Sequence, residues 1–169
     1  MRTGKLTNMA LLCAVALIIH ILESMLPELI PIPGVKPGLA NIVTVFAVFM
    51  LGPGQAVGIL AGRIFLASIF AGNFSSFFYA AGGGLLAILA TIALRRVLQN
   101  NQIWIAGCLG AVMHSVGQLA VAVFIGGTWT VLLYLPVLIV CSIIAGLFTG
   151  LCAQVLIKRG EKLWKTFLK

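Results

Sequence analysis

The side chains with chemistry to offer are few: two His, three Glu, no Asp, and one Arg set deep inside an apolar run. His20 and Glu23 stand three apart and His114 and Gln118 four apart, so on helices each pair shares a face. Asn41 follows a Pro/Gly-broken segment, and Tyr79 follows Asn73, Ser75 and Ser76. Arg63 lies within the run Gln55 to Ala71. A guanidinium stays charged, so at membrane depth it requires an anion, either Glu23 or an anionic group on a bound molecule. His114 and Gln118 have two readings. They are ligand contacts, or they make interhelical hydrogen bonds in a packing seam shared with Gly110 and Gly117. Lys36 and Glu28 bound a loop, where they are either solvated or at the mouth of a site. Arg63, Asn41, Glu23, His20, Tyr79, His114, Gln118 and Lys36 together form the candidate substrate-binding set.

The elements that must position these groups follow from composition. Of the 169 residues, 62% are apolar and 8% charged, against about 45–50% and about 25% in soluble domains. A water-soluble fold is excluded. Six apolar runs cover Leu6 to Leu26, Gly38 to Leu51, Gln55 to Ala71, Phe74 to Leu94, Ile103 to Ile125 and Thr130 to Ile157. At about 20 residues per crossing they predict one all-α integral membrane domain, a bundle of six transmembrane helices spanning residues 1–169. The first run is too long for a signal-peptide core and has no small-residue cleavage pattern after it, so it is expected to be retained. The sixth is longer than a straight crossing needs, which predicts a tilt or a kink at Pro136. A basic tail, Lys158 to Lys169, follows it.

Eleven Lys and Arg against three Glu give a net charge of +8. These charges sit at the ends of apolar runs, so they read as topology signals and not as a nucleic-acid surface. With both termini cytoplasmic, Arg2, Lys5, Arg95, Arg96, Lys158, Arg159, Lys162, Lys165 and Lys169 fall inside, and Lys36 alone falls in an outer loop. Trp104 and Trp164 then mark the inner interface and Trp129 the outer one. In this orientation His20, Glu23, Asn41 and Tyr79 lie in the outer halves of their helices. His114 and Gln118 lie mid-depth to outer, and Arg63 lies near the middle. The polar groups converge on a site open to the outside, the arrangement expected where costly polar groups line a binding cavity. The segment Pro31 to Asn41 belongs with them, because broken backbone at membrane depth survives only beside protein or a wet cavity.

Small residues predict close helix packing: Gly54, Gly58 and Gly62 on the third helix, Gly82 to Gly84 on the fourth, Gly146 and Gly150 on the sixth. Ala10 and Ala14 make a small-xxx-small face near the inner end of the first helix, suited to docking a separate membrane subunit. The four cysteines lie within apolar stretches without CxxC spacing, so neither a disulfide framework nor a metal site is expected. There is no phosphate-binding GxxxxGKS or GxxxxGKT loop, so the chain is not itself an ATP motor. Without Asp it also has no Asp-rich cluster to hold magnesium and a diphosphate. No catalytic residues, metal or cofactor are expected, and the chain reads as a non-enzyme.

The stretch PIPGVKPGLANIVTVF (residues 31–46), the glycine-rich helix from Gly54 to Arg63 and the six-helix layout resemble the Gx transporter family, also named heptaprenyl diphosphate synthase component I. That family in turn resembles the substrate-binding S components of energy-coupling factor (ECF) transporters, in which an AxxxA face on the first helix docks the coupling subunit; Ala10 and Ala14 match it. The resemblance implies a multi-pass protein of the bacterial plasma membrane. It would take up a small, anionic or amphipathic molecule at an outer site, with a coupling subunit and ATPases as partners and membrane lipid around it. The family's other name implies an alternative: a non-catalytic membrane partner of a soluble polyprenyl synthase, in menaquinone side-chain synthesis or quinone-linked electron transfer.

Overall fold

The computed structural model describes residues 2–25, 38–72 and 74–167. Glu28, Lys36, Asn73 and the Pro27 to Pro37 stretch lie outside the described residues, as does the side chain of Trp164. Six α-helices follow in order: α1 Arg2–Ser24, α2 Asn41–Met50, α3 Pro53–Ala71, α4 Phe74–Arg95, α5 Ile103–Gly126 and α6 Leu135–Phe167. Five of them lie in segments long and apolar enough to cross a membrane. α2 is the exception. At about 1.5 Å per residue its ten residues rise about 15 Å, half of a hydrocarbon core of about 30 Å.

The helices run alternately up and down. Gly58 faces Met9 and Gly62 faces Cys13, so α3 lies parallel to α1. α2 runs back between them and turns sharply into α3 at Gly52, where φ is +109° and Pro53 opens the next helix. That φ suits glycine, and Pro at the first helical position forfeits no hydrogen bond. Pro136 likewise falls in the first turn of α6, where it starts the helix instead of kinking it. The residues before it, Trp129–Tyr134, form a separate 3-10 helix. α6 then continues to Phe167, ten residues past the apolar run.

The exterior and interior are inverted relative to a soluble protein. Phe124 is 90% exposed, and Leu6, Leu11, Phe65, Phe70, Leu133 and Phe148 are also open. Glu23, Asn41, Arg63, His114 and Gln118 are each 5% exposed or less. Such a surface is stable only where the solvent is lipid. Close packing comes from glycine, as the sequence suggests. A Cβ added at Gly146 would stand 2.7 Å from the Cys108 backbone, and one at Gly150 would stand 2.6 Å from the Trp104 carbonyl oxygen. α5 and α6 are thus in backbone contact, and Gly82, Gly83 and Gly117 bring α4 and α5 equally close. The face on α3 divides: Gly58 and Gly62 receive α1, whereas Gly54 has open space. A mixed apolar core of Ala16, Val48, Ile59, Leu60 and Ile88 joins α1 to α4.

Candidate functional site

Glu23 ends α1 and is buried. Its Oε1 accepts the Gly38 N–H at 2.6 Å and the Leu39 N–H at 2.9 Å. These amides immediately precede α2, so the carboxylate occupies the place that an anion takes at a helix N-terminus. Gly38 has φ +80°, and a Cβ there would come 3.2 Å from the His114 ring. Conformation and space both therefore require glycine at this position. α1, the entry to α2, and α5 meet at this point.

Three further side chains converge on it. Asn41 is the first residue of α2 and 3% exposed; neither its Oδ1 nor its Nδ2 has a partner among the described residues. Arg63, in the middle of α3, is 4% exposed, with Nε and Nη2 unpartnered among the described residues. His114 is held on one side by the Gly83 backbone, while Nδ1 has no partner among the described residues. Glu23 and Cys13 act electrostatically on Arg63, and Arg63 acts on His114. Glu23 does so without supplying a hydrogen bond to Nε or Nη2 among the described residues, and its Oε1 is turned to the α2 amides. Of the two anions that the sequence offers Arg63, Glu23 is thus an electrostatic neighbour with one of its two oxygens engaged by backbone.

Gln118 packs one turn beyond His114, its Cγ against Gly83. Glycine at position 83 is what lets both side chains lie between α4 and α5: a Cβ there would stand 2.9 Å from His114 Cε1 and 2.8 Å from Gln118 Cγ. His20 is half-buried one turn before Glu23 and acts electrostatically on His114. Tyr79 is half-buried on α4, one turn before Gly83 on the same face. Lys36 lies outside the described residues. Ala10 and Ala14 are exposed on α1, away from the Met9 and Cys13 face that meets α3. Among the described residues no three His, Cys, Asp or Glu side chains come together as a metal site.

Sequence reasoning missed Ser115. It is fully buried and shares a 2.6 Å hydrogen bond with Ser142 of α6, on the opposite flank of α5 from Gly83. Its place beside His114, with Ser142 in the facing helix, was the available signal. Ser115→Ala and Ser142→Ala are expected to show a coupling energy of about 0.6 kcal/mol in a double-mutant cycle, as for hydrogen bonds between membrane helices. Thermal unfolding in detergent measures it, and strict additivity would remove the pair from the account of α5–α6 packing.

The fold and this centre define a multi-pass, helical membrane protein with a buried polar centre whose Asn41, Arg63 and His114 keep unpartnered polar atoms among the described residues. The chain belongs to the heptaprenyl diphosphate synthase component I family, whose sequence model matches residues 12–156. Neither a curated protein nor a solved structure matches it.

Proposed function

We propose that the chain is the substrate-binding membrane subunit of an importer of the energy-coupling-factor type, and that it takes a small, anionic or amphipathic molecule from the outer side. The observation that carries this reading is the group Asn41, Arg63 and His114, each buried with donor or acceptor atoms that have no partner among the described residues. Buried polar atoms are rarely left unpaired, and a guanidinium at membrane depth calls for an anion. An anionic group seated between Arg63 and Asn41 supplies both. Glu23 offsets part of the Arg63 charge and ties the entry of α2 to α1, so ligand contact at Asn41 is transmitted to the segment before it. That segment, with Lys36, acts as the gate. The balance of Lys and Arg supports an orientation with both termini in the cytoplasm. Ala10 and Ala14 dock the coupling subunit.

The family description supports a second reading, a membrane partner of a soluble polyprenyl synthase, which we set in quinone side-chain synthesis or quinone-linked electron transfer. Affinity purification from native membranes in mild detergent, with mass spectrometry of co-purifying proteins and bound small molecules, separates the two. The importer reading expects a coupling subunit with its ATPases and a bound anion. It also expects Ala10→Trp or Ala14→Trp to lose the subunit, and Arg63→Gln to lower ligand retention about tenfold or more, the worth of a charge-assisted hydrogen bond. A soluble synthase recovered without ATPases establishes the second reading and overturns the first.

A further inference from the structure

The flank between α1 and α6 is open. Among the described residues α1 packs on α3 and α2, and α6 packs on α5 and α2; the two do not meet. Short α2 forms the floor of the groove they leave. A cavity of about 510 Å³ lies there, walled by Val15 and Ile19 of α1, Ile42 of α2 and Leu156 of α6. A second, of about 270 Å³, continues it toward Asn8 and Met50. The two share Leu12, Phe46 and Gly160, so they form one channel along the bundle. Its walls are apolar apart from two residues toward the N-terminal end of α1 and the C-terminal end of α6: Asn8 on the smaller cavity and Arg159 on the larger, beside the shared Gly160. Lys158 is exposed beside Arg159, and Lys5 is exposed one turn from Asn8. This is the end at which the proposed topology places the cytoplasm.

We infer that this groove holds an acyl chain of an anionic phospholipid from the cytoplasmic leaflet, with the phosphate seated at Arg159. Charge complementarity selects the occupant. An apolar trough open to the bilayer takes a hydrocarbon chain, and Arg159 on its wall, with Lys158 and Lys5 exposed on the neighbouring ends of α6 and α1, favours an anionic head group over a zwitterionic one. Arg159 supplies a planar, permanently charged fork suited to phosphate. Gly160, the next residue, leaves the channel clear between the two cavities. A Cβ there would touch only Met50 Cε, at 3.7 Å, so a larger side chain fills the groove without moving backbone.

The test is native mass spectrometry of the full chain equilibrated in micelles with equal amounts of phosphatidylglycerol and phosphatidylcholine. The wild type should retain phosphatidylglycerol preferentially. Arg159→Gln should reduce that preference about fivefold while total lipid bound stays near wild type. Gly160→Trp should abolish retention of both lipids at an unchanged Tm. Equal retention of the two lipids by the wild type overturns the inference. So does an unaltered preference in Arg159→Gln, or wild-type retention by a folded Gly160→Trp. Displacement of the phospholipid by a prenyl diphosphate assigns the groove to a different occupant and overturns it as well. None of these readouts involves Arg63 or a coupling subunit, so the result stands apart from the importer reading.

Discussion

Glu23→Ala is expected to destabilise the protein by about 3 kcal/mol or more, a fall in Tm of about 6–12 °C for a chain of this size. Two losses combine. The Gly38 and Leu39 amides, bonded to Oε1 at 2.6 and 2.9 Å, lose their acceptor, the first in a buried place and the second in a partly buried one. Arg63 loses the carboxylate that acts on it electrostatically. Glu23→Gln separates the two, because its amide oxygen still accepts from the backbone while the charge is gone. The Gln variant should therefore recover part of the deficit, and what remains measures the charge. Adding Arg63→Met to Glu23→Gln should restore most of that remainder, since neither member of the pair is then a buried, uncompensated ion. Thermal unfolding of the four proteins in one detergent gives the result. A loss below about 1 kcal/mol in Glu23→Ala would show that the link between α1 and the entry to α2 carries little. Equal deficits in Glu23→Gln and the double variant would show that Arg63 is balanced by something other than Glu23.

The burial of Arg63, Asn41 and His114 was legible in the sequence for one reason. A polar group inside an apolar run is too costly to face lipid, so it must turn inward, and three that do so in a small bundle must come near one another. What Glu23 does was not legible. Its partners are backbone amides, which carry no residue-type signal, and they lie 15 and 16 positions away across a turn. The shortness of α2 was obscured by Gly38, Leu39 and Ala40, which continue the apolar run without continuing the helix. Hydropathy cannot tell Gly38 at φ +80° from a helical residue, whereas the neighbouring Pro37 and the glycine itself hinted at it. Of the tilt or kink expected of the sixth run, the kink at Pro136 does not occur, for a related reason. In the interior of a helix a proline breaks a hydrogen bond, but the apolar run gave no sign that a 3-10 segment would precede it and leave it in a first turn. The lateral groove was hidden altogether, because it arises from which helices fail to touch.

The glycines of α5 set the spacing on which the polar centre depends, and Gly107→Val should be among the most damaging single changes in the chain. A side chain at position 107 would meet the Gly146 carbonyl oxygen at 2.7 Å as well as the Gly150 backbone. Backbone cannot rotate away as a flexible side chain does, so α6 must move off α5; the expected cost is about 3 kcal/mol or more, at the upper end for overpacking. Gly54→Ala is the control. Nothing lies within 4 Å of a Cβ at that position, so the substitution should leave stability within about 0.5 kcal/mol of wild type or raise it slightly. Gly117→Ala extends the argument to the site. Its Cβ would collide with the Gly82 and Gly83 backbone, and parting α4 from α5 there withdraws Gly83 from His114. It should therefore lower ligand retention even in the fraction of protein that stays folded, whereas Gly107→Val should lower Tm and monodispersity first. A Gly107→Val protein with wild-type Tm would mean that α5 and α6 are not in backbone contact. A folded Gly117→Ala protein with full retention would mean that the position of His114 does not matter to the site.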